Sequence, residues 1–278
     1  MTFSVVGRSA DGRSIGVAVA SRFLAVGSAV PAARYGVGAI ATQSYANTLY
    51  KRDGLALLDA GRSADETVAA LLEADEGRAT RQVGVVDAAG RSTTWTGDGC
   101  HDWAGGVSGD GYAIQGNILT GGDVIDAMQR AWLDGTEQPL PERLLGALTA
   151  GDRTGGDRRG RQSAALLVVA ESGGYTPGDD LAYDLRVDDH PDPVPELSRL
   201  VALHRVYFDP PDEAAMLPLE GELADEVETL LGRVGHPDLE SWAGVENYEL
   251  RVRPGRIDPF VLDRLREAAD RAAPARQQ

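Results

Sequence analysis

The chain begins Met1-Thr2-Phe3-Ser4-Val5-Val6, and Thr2 is the residue best equipped for nucleophilic chemistry. A threonine is small enough for the methionine before it to be removed. Removal would leave one residue with both a hydroxyl and a free α-amine. An α-amine has an unperturbed pKa of about 7.7–8.0, so a usable fraction is a neutral base near pH 7. Nucleophile and general base would then share one residue. A Met-Thr start with no catalytic role is the alternative.

Further residues could complete such a site. Gly116-Asn117 falls at the end of an expected strand, just before Gly121-Gly122. A glycine N–H and an asparagine amide are the two donors that an oxyanion hole needs. The same pair also suits an ordinary turn. Ser21 and Arg22 end the second expected strand, level with Thr2 if the first hairpin is in register. An arginine there would favour a neutral α-amine and help position a carboxylate; a surface arginine is the alternative. Gln43 and Asn47, with Thr42 and Ser44, form a polar strand end that either lines the same pocket or caps the next helix.

Residues 151–163 hold the densest positive cluster of an acidic chain. Arg158, Arg161 and Gln162 are candidates for binding a substrate carboxylate or phosphate, because a guanidinium suits bidentate recognition. Asp152 and Asp157 could instead pair these arginines internally. The loop lacks the Gly-Lys-Ser/Thr ending of a P-loop, so no nucleotide is expected. Asp188, Asp189, His190 and Asp192 could be drawn as metal ligands, but Asp before Pro is also common turn chemistry. The other histidines have no companion spacing and no Cys-x-x-Cys occurs, so neither metal nor cofactor is expected. A Gly-x-Ser-x-Gly elbow is absent as well.

Composition narrows the partners. The 278 residues carry a net charge of −16, which argues against nucleic acid and anionic membranes. A single cysteine, Cys100, fits a reducing compartment. There is no basic segment followed by an apolar run at the start, and no stretch nears the ~20 apolar residues of a membrane span. A cytoplasmic location follows as the expectation. Lys51 is the only lysine.

The elements that must position these groups can be outlined. Residues 2–8 and 14–20 predict a hairpin around Asp11-Gly12. Residues 26–42 predict a second strand pair, broken at Pro31 and Tyr35-Gly36. A short helix over 54–60 and another from Ser63, with Glu66 completing a capping box, follow. Strands are predicted at 81–87, 92–96, 112–119, 163–170 and 181–187, with helices at about 123–134, 139–150 and 196–207. Small apolar residues on both faces of the first two strands predict a sheet covered on both sides. Paired helices between runs of antiparallel strands predict an α+β fold, a four-layer αββα sandwich over residues 1–208. Asp209-Pro210-Pro211 reads as a linker to a small, mostly helical appendage, 209–278.

Several motifs together resemble the domain of unknown function 1028 family. They are Thr2-Phe-Ser-Val-Val6, Gly16-Val-Ala-Val-Ala-Ser-Arg-Phe-Leu-Ala-Val-Gly27 and Ala41-Thr-Gln-Ser-Tyr-Ala-Asn47. Arg81-Gln-Val-Gly-Val-Val-Asp87, Tyr112-Ala-Ile-Gln-Gly-Asn-Ile-Leu119, Gly155 to Leu166 and Arg186 to Pro193 extend the likeness over about residues 1–205. That family is classed with the N-terminal-nucleophile hydrolases, related to proteasome β subunits and amidases. The resemblance implies the αββα fold, Thr2 as nucleophile, and Gly116-Asn117 as an oxyanion element. No counterpart of the proteasome-type lysine is evident, since Lys51 is badly placed, and Arg22 or Arg161 would have to substitute. The tail resembles the peptidoglycan-binding-like appendage of some members.

The resulting expectation is an amidohydrolase acting on a small, carboxylate-bearing amide, as a homo-oligomer, a dimer. The alternative is a non-catalytic protein that binds a small ligand or glycan on the same fold.

Overall fold

The computed structural model describes residues 2–272; Met1, whose removal the nucleophile reading requires, lies outside the described residues. Unit one, residues 1–201, begins with β1 (Thr2–Arg8) and β2 (Ser14–Ser21). Their turn is set by Asp11 and Gly12. The Asp11 carboxylate accepts from Ser9 Oγ at 2.6 Å and Arg13 N at 3.0 Å, and Gly12 takes φ +73°. The hairpin is in register, so Thr2 faces Ser21.

After β2 come α1 (Val26–Ala29), β3 (Pro31–Arg34), β4 (Gly38–Ser44), α2 (Leu49–Asp59) and α3 (Ala64–Glu73). They are followed by β5 (Arg81–Asp87), β6 (Ser92–Thr96), β7 (Gly105–Gly109) and β8 (Tyr112–Asn117). Next are α4 (Asp123–Asp134), α5 (Leu140–Arg153), β9 (Ser163–Ala170), β10 (Leu181–Val187) and α6 (Pro193–Phe208). The strands form two antiparallel sheets, ordered β10-β9-β2-β1-β8-β7 and β3-β4-β5-β6. β1 thus lies inside its sheet, between β2 and β8.

Three cores hold these elements. Phe3, Val5 and Ile114 pack with Met128, Trp132, Leu144 and Leu148 of α4 and α5. Gly7 makes room there, since a Cβ would lie 2.3 Å from the Trp132 ring. Val6, Val17 and Val19 of the larger sheet meet Ala39, Ala41 and Val86 of the smaller. Ile40, Val83 and Val85, on the other face of the smaller sheet, pack on Tyr50, Leu58, Val68 and Leu71 of α2 and α3. The alternation of faces along each strand separates these cores. Both strands of the first hairpin are accordingly buried on both faces, as their composition predicts.

Local departures from the predicted elements have simple causes. Residues 26–29 are a helical turn rather than strand, entered through Ala25 in the left-handed region (φ +53°). α2 starts at Leu49, not 54, because the Asn47 side chain accepts from Leu49 N at 3.1 Å. β7, Gly-Gly-Val-Ser-Gly, gives too weak a side-chain pattern to predict. The Ser63–Glu66 capping box is present on α3.

The second unit, residues 202–278, starts within α6. It holds β11 (Leu217–Pro218), α7 (Glu222–Val234), α8 (Leu239–Val245), β12 (Val252–Arg253), β13 (Arg256–Ile257) and α9 (Pro259–Ala272). Leu230, Trp242, Tyr248, Val261 and Leu265 form its core. Besides the expected helices it carries a small sheet, β11-β13-β12. Among the described residues, no helix is long and apolar enough to cross a membrane.

Candidate functional site

Strand alternation decides what meets what. Thr2 and Ser4 share the face of β1 that carries Val6, while Phe3 and Val5 point to α4 and α5. On β8, Gln115 and Asn117 lie opposite Ser4 and Thr2 in the ladder. Gln43 of β4 and Gln82 of β5 are also opposite one another. All six residues are buried, so one end of the interface between the sheets is polar.

Buried polar groups are mostly hydrogen bonded, and here they form a continuous network in which Gln115 Oε1 is left without a partner. Gln115 Nε2 donates to Ser4 Oγ at 2.7 Å, and Ser4 Oγ donates to Gln43 Oε1 at 2.7 Å. Gln43 Nε2 donates to Gln82 Oε1 at 2.8 Å and to Thr2 O at 3.2 Å. Gln82 Oε1 also accepts from Asn117 Nδ2 at 2.9 Å, and Gln82 Nε2 donates to Gly116 O at 2.7 Å and Thr96 Oγ1 at 2.8 Å. Gly84 clears the space: a Cβ there would lie 2.0 Å from Gln115 Oε1.

Above this network opens a cavity of about 440 Å³. Thr2, Ser21, Gln43, Asn117 and Arg159 line its polar part, with Thr2 Oγ1 3.0 Å from Ser21 Oγ. Phe23, Val26, Ala29, Val30 and Ile118 supply apolar surface. Tyr45 and His101 are exposed at the same cavity, the Tyr45 hydroxyl 3.4 Å from His101 Nε2.

The backbone is strained around it. Five non-glycine residues among those described have positive φ, and two of them, Ser44 (+70°) and Ile118 (+48°), line the cavity. A third, Ala25, precedes Val26. For a β-branched residue such as Ile118 this conformation is an outlier. Strain of this kind collects at ligand sites, where surrounding structure holds it in place. Ile118 is held by its N–H to His101 O (2.9 Å) and by Arg158 N donating to Ile118 O (3.3 Å).

Thus Thr2, Ser21, Gln43 and Asn117 come together, and the other candidates go elsewhere. Gly116 is outside the cavity lining, and a Cβ there would lie 2.6 Å from Leu119 Cδ1. Arg22 is exposed and donates through Nη1 to Arg159 O at 3.0 Å. Asn47 supports the start of α2 and donates to Asp75 at 3.1 Å. Arg161 binds Asp152 at 2.8 Å and Asp192 at 3.1 Å, and those carboxylates raise its guanidinium pKa further. Gln162 donates to Asp189 at 3.1 Å. Arg158 is exposed and outside the cavity lining. Lys51 donates to Ser28 O on the α1 side.

Of the arginines in this loop, Arg159 is the one that lines the cavity. The Asp157 carboxylate accepts from Arg159 N at 2.8 Å, from Arg159 Nη2 at 3.3 Å and from Arg22 N at 2.7 Å. This buried aspartate ties the loop to the end of β2. The turn that selects 159 over 158 or 161 depends on these long-range bonds, so spacing alone gave no signal. The strand period could have pointed to Gln82, two residues before Gly84. Among the described residues no group of three or more His, Cys, Asp or Glu is set to hold a metal ion. His190 Nδ1 instead accepts from Asp192 N at 3.0 Å within its turn.

The sequence profile described as "Family of unknown function (DUF1028)" matches residues 2–197. A crystal structure of a Silicibacter pomeroyi protein of that family is similar at a TM-score of 0.66 and 28% identity, covering 81% of this chain and 92% of that one. No curated protein gives a significant match.

Proposed function

The chain belongs to the DUF1028 family, and from that premise we propose that it is an amidohydrolase with Thr2 as its nucleophile. One observation carries this reading: the Thr2 hydroxyl lines a 440 Å³ cavity and lies 3.0 Å from Ser21 Oγ. We take the two stacked sheets, with helices on their outer faces, to be the αββα sandwich of N-terminal-nucleophile hydrolases.

With Met1 removed, Thr2 Oγ1 adds to the amide carbonyl carbon and its proton moves to the α-amine. The C–N bond breaks, and the same proton goes to the departing nitrogen. Water, activated by the amine, then cleaves the threonyl ester, releasing a carboxylic acid and restoring the hydroxyl. Asn117 Nδ2 has one N–H committed to Gln82. Its other N–H faces Thr2 O at 3.5 Å, too far for a firm bond. That second N–H serves the developing oxyanion. Arg159, rather than Arg22 or Arg161, binds the substrate carboxylate.

A second reading, a non-catalytic ligand-binding protein, is favoured by the Asn117–Gln82 bond, which takes up one of the amide's two N–H groups. The two separate on one experiment. Untagged protein and protein with an uncleavable N-terminal extension are exposed to p-nitrophenyl butyrate. Acylation of Thr2 only in the untagged protein supports the hydrolase; equal behaviour of both forms supports the binder.

A further inference from the structure

The segment from Phe23 to Val30 is held with more care than a connection between strands requires. Ser163 Oγ, fully buried, donates to Phe23 O at 2.5 Å and accepts from Val26 N at 3.1 Å. Ala25 N donates to Asp188 O at 2.9 Å, while Ala25 itself is held at φ +53°. Gly27 lets the turn settle on β9, because a Cβ would lie 2.6 Å from Ala165 Cβ. Val30 O accepts from Thr42 N at 3.1 Å, joining the far end to β4.

This anchored segment gives the cavity Phe23, Val26, Ala29 and Val30 in succession. Val26 and Val30 are buried, Ala29 is half-buried and Phe23 is 54% exposed, so Phe23 and Ala29 supply the open part of the wall. An exposed phenylalanine beside a rigid apolar wall is a surface that gains by being covered. The wall adjoins Thr2 through Ser21, its ladder neighbour. Arg159 lines the same cavity from the loop beyond the ends of β2 and β8, where its carbonyl accepts from Arg22 Nη1 at 3.0 Å.

We propose that Phe23, Val26, Ala29 and Val30 form an acyl-chain subsite, so that the substrate is an amide of a short aliphatic acid with a carboxylate on its amine portion. The assignment rests on Thr2 as the reacting group, which puts the amide carbonyl at Thr2 Oγ1, with the acyl chain on the wall and the carboxylate toward Arg159. Hydrolysis consumes the amide and one water and yields the aliphatic acid and a free amino acid-like amine.

The test is binding, measured by calorimetry on full-length Thr2→Ala protein with N-acetyl-, N-butyryl- and N-hexanoylglycine. Each methylene buried on the wall should tighten binding about four-fold until the wall is filled. Ala29→Leu in the same background should weaken N-hexanoylglycine at least ten-fold and leave N-acetylglycine within about two-fold. Affinity independent of chain length, no binding of any of the three, or an unaltered preference in the Ala29→Leu form would overturn the subsite. Chain-length-dependent binding without acylation of the Thr2 protein by p-nitrophenyl butyrate would retain the subsite and remove the nucleophile. Acylation without chain-length dependence would do the reverse.

Discussion

Thr2 Oγ1 and Ser21 Oγ lie 3.0 Å apart across the β1–β2 ladder, both buried and both at the cavity wall. In the proposed reaction this pair would hold the threonine rotamer in which the hydroxyl meets the substrate. Ser21→Ala removes one neutral hydrogen bond, a net effect of about 1 kcal/mol. Acylation of Thr2 by p-nitrophenyl butyrate should therefore slow roughly five-fold, and stability should fall by no more than about 1 kcal/mol. Thr2→Ala should abolish the adduct. Unchanged acylation in Ser21→Ala would deny the pair a role.

The polar network below the cavity depends on the missing side chain at Gly84, whose Cβ would meet Gln115 Oε1 at 2.0 Å. Gly84→Ala should destabilise the protein by about 1–3 kcal/mol, as overpacked sites do. Gln115→Ala in the same chain should recover part of that loss, since it removes the clashing group. Urea denaturation of the two single variants and the double variant measures the coupling; strict additivity would show that the two positions do not meet.

Two neighbouring arginines should separate binding from stability. Arg159→Gln should weaken N-butyrylglycine at least ten-fold, through loss of a charged bond to its carboxylate, and should also cost up to about 1 kcal/mol of stability, because buried Asp157 loses a cation held at 3.3 Å. Arg161→Gln should leave that affinity unaltered and cost about 1 kcal/mol, because buried Asp152 loses its cation while Arg161 is itself half exposed. The opposite pattern would move the carboxylate site to Arg161.

Acid stability should depend on Asp75. The Arg81 guanidinium holds its carboxyl well below the usual aspartate range, against burial, with Asn47, Tyr50 and Gly77 N–H also donating. The unfolded chain then binds the proton at higher pH than the folded one. The stabilisation is complete above about pH 5 and declines as pH falls below about 3.9. Asp75→Asn should lower stability at pH 7 and flatten its fall between pH 5 and 2, read from urea midpoints. A parallel fall in both proteins would rule out this carboxylate.

Much of the architecture was written in local patterns. Asp11-Gly12 set the first hairpin, and Ser63 with Glu66 set the start of α3, because a turn and a cap involve residues close in sequence. From the hairpin register alone Ser21 falls beside Thr2. Arg159 and Gln82 were not legible in the same way. The first is turned to the cavity by Asp157, which also grips Arg22 N at the end of β2. The second is placed by the stacking of two sheets whose strands are far apart in sequence.

The central claim is a threonine that acts with its own amine. The most direct test is the intact mass of untagged protein before and after brief exposure to p-nitrophenyl butyrate, followed by peptide mapping. The protein should lack Met1 and gain one butyryl group on Thr2, with no gain in Thr2→Ala. A chain that keeps Met1, or that loses it and carries no adduct on Thr2, would contradict the claim.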